Sequence, residues 1–242
     1  MNNYWTKNYI LLGCLILILT SVQCNRLFSP KNINEGHIVF NITYLDDIKE
    51  NHLIALLPSS MTLKFKENRT VSHIEGFFGS FRLTYISDFN SGKNYSLFRI
   101  LDKKYMYVAD TVDEPFGYKD MKNIKIIETT ETDTIAGYLC HKAIADCKAI
   151  SDTPIILYYT YEIDIENPNT NNPFRQIKGV LLAFQVKLVD INMRFRAEKV
   201  VREEVDESEF LVPEGFNNVS KEELELMIDN FNNNSEKTTI SK

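Results

Sequence analysis

The sequence predicts a mainly β fold (α+β): a single curved antiparallel sheet of about eleven strands, with a few short helices on its concave face. Three observations predict it. From Met61 onward apolar and polar residues alternate, Met61, Leu63 and Phe65 against Thr62, Lys64 and Lys66, which is the period of a half-buried strand. Such segments recur at about ten-residue spacing between polar turns, the pattern of a meander. Capped helical periodicity is confined to short stretches, too few to cover a sheet, and so long a meander must twist and curl into a barrel or half-barrel.

The elements follow in order. After a polar entry, residues 37–44 are rich in β-branched and aromatic side chains and read as the first strand. Asp46-Asp47 then cap a short amphipathic helix over 48–57, with Pro58 just beyond it. Strands over 61–67, 71–78, 81–89, 95–101 and 104–109 are divided by Asn68-Arg69, Gly79-Ser80, residues 90–93 and Asp102-Lys103. Residues 110–122, with Pro115 and Gly117, break the pattern. Strands resume over 124–130, 138–150 and 154–163; residues 167–176, with Pro168 and Pro173, form an irregular loop. Segments 180–190 and 193–205 make a last hairpin around Ile191-Asn192. Ser220 and Glu223 are spaced as a capping box, opening a helix through Asp229 before a polar tail.

With 242 residues, 44% hydrophobic and 25% charged, the chain has globular composition and is long enough for one sizeable core. A net charge of −6 without basic clusters excludes nucleic acid and anionic membranes as expected partners. Only 9 glycines argue against repeated phosphate-binding loops. Residues 1–24 read as a secretory signal: a polar start with Lys7, an apolar run over 10–19, then a short polar region. That run rises about 15 Å as a helix, half of a ~30 Å hydrocarbon core, so no transmembrane span is expected in the mature protein. Val22 and Cys24 suit ordinary signal cleavage after Cys24; alternatively Cys24 is a lipidation candidate, although Gln23 stands where a lipobox has a small residue. The expected organisation is signal 1–24, polar linker 25–35, sheet domain 36–231 and disordered polar tail 232–242.

Motifs for chemistry are missing. There is no His-Glu-x-x-His, Cys-x-x-Cys or phosphate loop, and the segment from Gly76 to Ser80 resembles a nucleophile elbow only superficially. His37, His52, His73 and His141 are scattered without ligand spacing. Cys140 and His141 are adjacent, so on a strand they point to opposite faces and form no dyad. Cys140 and Cys147 on one strand would lie about 23 Å apart, far beyond the roughly 5.5–6 Å of a disulfide; only a turn over 143–146 would bring them together. Asp164, Glu166 and Asn167 read as a solvated strand end. No catalytic residue, metal or cofactor is expected, and the chain is read as no enzyme. What remains is apolar: Phe65, Phe81, Tyr85, Phe98, Tyr107, Tyr159, Phe184 and Phe195 are candidates to line a cavity in the curved sheet.

Ordered motifs carry a family resemblance. The run Ile135-Ala136-Gly137-Tyr138-Leu139-Cys140-His141-Lys142-Ala143, then Tyr159-Thr160-Tyr161-Glu162-Ile163, then Phe210-Leu211-Val212-Pro213-Glu214-Gly215-Phe216 resembles the signatures of secreted Gram-negative domains of unknown function related to the GLPGLI family. Where that family has its six-letter motif, this chain has Gln176-Ile177-Lys178-Gly179-Val180-Leu181, keeping the glycine and the apolar character, as a sister member would. The resemblance implies a half-barrel like the Lol-type lipoprotein carriers, with helices lidding an apolar cavity, in a protein of the periplasm or associated with the outer membrane. It supplies no catalytic residues. The expected function is non-enzymatic binding of a lipid, acyl chain or other apolar ligand in the half-barrel. The alternative is an interaction or scaffold domain with a self-filled core, meeting an envelope protein partner through strand edges or the 167–176 loop.

Overall fold

The computed structural model describes residues 32–46, 57–76, 79, 81–148 and 150–239. The expected signal, Cys24 and, Leu57 excepted, the helix over 48–57 fall outside them. The strands are β1 (Glu35–Tyr44), β2 (Ser60–Lys66), β3 (Arg69–Gly76), β4 (Phe81–Asp88), β5 (Lys93–Ile100), β6 (Lys103–Asp110), β7 (Lys125–Ile135), β8 (Tyr138–Asp146), β9 (Ile155–Thr160), β10 (Val180–Leu188), β11 (Ile191–Val201) and β12 (Asn217–Asn218); one helix, α1 (Lys221–Thr239), follows.

Strands consecutive in the chain pair antiparallel within two meanders, β1 to β6 and β7 to β11. Their connections are short from β2 to β6, at β7–β8 and at β10–β11, and longer at β1–β2, β8–β9 and β9–β10. Antiparallel pairing of β1 with β11, from His37 opposite Val201 to Tyr44 opposite Met193, joins them into one open sheet. The count is 12, the extra strand being β12, which lies parallel on β6 and makes the sheet mixed. Ala136 and Gly137, both at positive φ (52° and 86°), form the two-residue turn between β7 and β8, matching the twist of a hairpin. The last hairpin turns at Val189-Asp190, two residues before the expected place. Asn192 belongs to the strand because the Asp46 carboxylate accepts from its backbone N–H at 2.7 Å and its side-chain amide at 2.9 Å.

The period-two pattern places one face of each strand in the core. Ile38, Phe40 and Ile42 of β1, Phe65 of β2, Leu83 of β4, Phe98 of β5, Leu157 of β9 and Phe195 of β11 are buried together on the concave face, each large side chain contributing about 1.5–3 kcal/mol. The filling of that face differs from the expectation of short helices alone. The β6–β7 connection supplies Phe116, Met121 and Ile124, and the β9–β10 connection supplies Ile163, Ile165, Phe174 and Ile177, all buried. One 3-10 turn (Lys119–Met121) and α1, through Leu224 and Ile228, complete it. The capping box is formed: Glu223 N–H donates to Ser220 Oγ (3.1 Å) and Ser220 N–H to Glu223 Oε2 (2.8 Å). With no Gly or Pro after Asp229 to stop it, α1 runs to Thr239, so the stretch from 232 expected as tail starts as helix.

Candidate functional site

The eight aromatic candidates do converge. Phe65, Phe81, Tyr85, Phe98, Tyr159 and Phe195 are buried in the main core, and Tyr107 and Phe184 pack against it partly buried. Among the described residues they meet filler. Phe184 stacks on Phe195 at 4.9 Å, and Phe174 closes edge-on over Phe184 at 6.4 Å. Phe116 lies 6.4 Å from Tyr85 and 6.3 Å from Tyr107. Among the described residues, a concave-face cavity bounded by Leu63, Tyr85, Phe184 and Phe195 is about 90 Å³. Ligand sites run to about 300–1,000 Å³.

The 167–176 loop is likewise structural. Asn169, buried, donates to the carbonyls of Ile177 (2.8 Å) and Gly179 (3.0 Å), and Arg175 to those of Thr170 (2.8 Å) and Val112 (2.9 Å). Glu166 is taken by Asn68, whose Oδ1 accepts from its backbone N–H at 2.9 Å, and Asn167 by Lys178 at 3.0 Å. No group of side chains with metal-ligand geometry occurs among the described residues. Cys140 is a buried free thiol that donates to the Tyr138 carbonyl; burial pushes its pKa up to about 11, the opposite of an activated nucleophile. His141 packs with Tyr159 and Tyr161 at 5.7 and 5.5 Å.

The roomier site lies on the opposite face. After β11 the chain crosses the back of β1 to β6 as a strap over residues 202–216, then pairs with the edge of β6 through β12. Val205 and Phe210 press onto Val71, Ile86 and Leu97, a second small core. Polar contacts pin the strap: a hydrogen bond between Glu203 and His37 (2.6 Å) and ion pairs of Glu207 with Lys66 (3.0 Å) and Arg69 (2.7 Å) and of Glu209 with Lys64 (2.6 Å). Arg69 also lies 5.0 Å over the Phe210 ring, and Lys104 lies 5.7 Å from the Phe216 ring. Between strap and sheet is a groove of about 420 Å³, floored by Thr84, Ile86 and Leu97, with Arg82, Arg99 and Lys104 along it and Ser208, Leu211 and Phe216 at the strap side. His73, at 2.9 Å from Thr84 Oγ1, is driven below its ordinary pKa by burial and by Arg82.

Arg69 and Lys66 hold the Glu207 carboxyl down to about 2, against an ordinary 4.5, and the Val205 N–H and Lys66 lower that of Glu35. A carboxyl with depressed pKa contributes stability that is whole above its unfolded value and lost as pH falls through its folded value. The strap is therefore expected to loosen between pH 4.5 and about 2. Amide NMR shifts of Ser208 and Leu211 should leave their native values in that window, before those of Leu157 in the sheet. Simultaneous change of strap and sheet would refute an acid-sensitive strap.

No family model and no curated protein matches the chain. Among solved structures it is similar to MucB. The likeness has 10% identity and a TM-score of 0.32, over 80% of this chain and 62% of that one. MucB in complex with MucA(peri) aligns with 11% identity and a TM-score of 0.30, over 80% and 60%. The chain thus spans less than two thirds of those MucB chains. Among the described residues no helix is long and apolar enough to cross a membrane.

Proposed function

We propose that this is an exported, non-enzymatic binding domain that seats a small ligand in the groove beneath the strap, while the concave face of the sheet serves as its core. The observation that carries this reading is the contrast of volumes among the described residues: about 420 Å³ in the groove behind the sheet and about 90 Å³ in the cavity beside Phe184. A lipid-filled half-barrel would need the space that Phe116 and Phe174 occupy. Capture of an envelope partner by strand pairing is disfavoured at both ends of the sheet. β12 occupies β6 at Tyr105 and Met106, and β7 carries Glu128, Glu131, Asp133 and a bulge, devices that blunt an edge. Kinship with the GLPGLI-related group rests on the ordered motifs alone, and export on the apolar run over 10–19.

Ser208 is exposed on the strap and lines the groove, so Ser208→Trp puts an indole there without disturbing either core. Native mass spectrometry of the purified chain, followed by organic extraction, reads occupancy. The variant is expected to lower it about tenfold or more with thermal unfolding unchanged. Occupancy that survives Ser208→Trp but disappears with Leu63→Trp would return the site to the half-barrel interior.

A further inference from the structure

Resting on that groove, we propose that its ligand is a small organic anion, its charged head held by Arg99 and Lys104 and its apolar body laid against Leu211 and Phe216 of the strap. The strand register carries the argument. Arg82 stands opposite Arg99 across β4 and β5, and Arg99 opposite Lys104 across β5 and β6. Three cations thus stand side by side in one row on one face of the sheet. Like charges directly opposite each other destabilise a sheet, and one carboxylate, Glu75 opposite Arg82, is all that the row itself contains to offset them.

That carboxylate is committed. Glu75 accepts from Arg82 Nε at 2.7 Å, and Glu209, the other acid at the groove, is paired with Lys64. Arg99 and Lys104 have no carboxylate partner among the described residues. Arg99 donates to the Gly79 carbonyl at 3.1 Å, and Lys104 to the Glu214 carbonyl at 3.3 Å. Each keeps further donors for a guest, and an anion between them relieves the repulsion. The next row inward on the same face is mixed, Thr84 standing between His73 and Leu97, and the row after it pairs Ile86 with Tyr95. The strap side presents Leu211 and Phe216, so the groove changes from cationic to apolar within two side-chain rows, about 7 Å each. A ligand matching this gradient has one anionic end and one apolar end. A carboxylate, phosphate or sulfonate head satisfies the same donors.

The test uses two fluorescent probes of nearly one shape, anionic 8-anilino-1-naphthalenesulfonate and neutral N-phenyl-1-naphthylamine, titrated into the folded full chain. The wild-type chain is expected to bind the anionic probe about tenfold more tightly, a preference that shrinks as salt rises. Arg99→Met with Lys104→Met should abolish the preference, as should Lys104→Glu alone, whereas Arg99→Lys and Lys104→Arg should keep it. Equal affinities in the wild-type chain, or a preference that survives Lys104→Glu, would overturn the anionic ligand. If Ser208→Trp then still blocks both probes, the groove stands and only its charge selectivity is refuted. If it blocks neither, the groove reading falls as well.

Discussion

Gly36→Ala is expected to destabilise the fold by at least about 3 kcal/mol, because it combines backbone strain with a collision against backbone. Gly36 has φ +150°, and a Cβ there would lie 2.1 Å from the Val201 carbonyl oxygen and 3.2 Å from Arg202 Cα. Neither is the movable end of a side chain. The position matters because the seam of β1 with β11 is where the two meanders join in one sheet, and His37 opposite Val201 is its first pair. Pushing Val201 away opens that seam from its end and displaces Arg202, where the strap begins. Guanidinium unfolding should show a lower midpoint with an unchanged slope, and the anionic probe should bind more weakly. A midpoint equal to that of the wild-type chain would mean that the seam relaxes freely around an added methyl.

The period-two strands were legible in the sequence because local alternation decides them, and each strand from β2 to β6 lies within three residues of its expected bounds. The β1–β11 seam was not, since it pairs residues more than 140 positions apart and no local pattern encodes that choice. The same limit explains the core. Phe116 and Phe174 sit in Pro- and Gly-containing connections that read as surface loops, yet both are buried against the strand aromatics. The sequence therefore marked the aromatic faces without showing what fills them. Arg82, Arg99 and Lys104 each looked like one polar position on a solvated face. The turn expected at Asp102-Lys103 would set Arg99 opposite Met106. The chain turns one residue earlier, at Leu101-Asp102, and only that register sets Arg99 opposite Lys104, a like-charged cross-strand pair that is a reason to look for an anion. The strap that closes the groove lay past the last hairpin, where only Phe210 and Phe216 hinted at packing.

Phe174→Ala should cost about 3–5 kcal/mol, a large share of the 5–15 kcal/mol that holds a typical domain together. Phe174 is fully buried and lies edge-on to Phe184, which stacks on Phe195. The loop cannot collapse to follow the lost ring, because Asn169 fixes its return through Ile177 and Gly179 and Asn172 Oδ1 accepts from the Phe174 N–H at 2.9 Å. The vacated space adds to the 90 Å³ already present beside Phe184 and is lined by apolar side chains, so the variant should acquire affinity for a small apolar guest such as benzene. Its affinity for the anionic probe should stay within about twofold of wild type, since the groove draws on the opposite face of β4 to β6. Ser208→Trp should do the reverse, removing probe binding and leaving stability alone. A Phe174→Ala protein destabilised by less than about 1 kcal/mol would show that the loop only rests on the sheet; loss of anionic binding in that variant would show that the two faces act as one site.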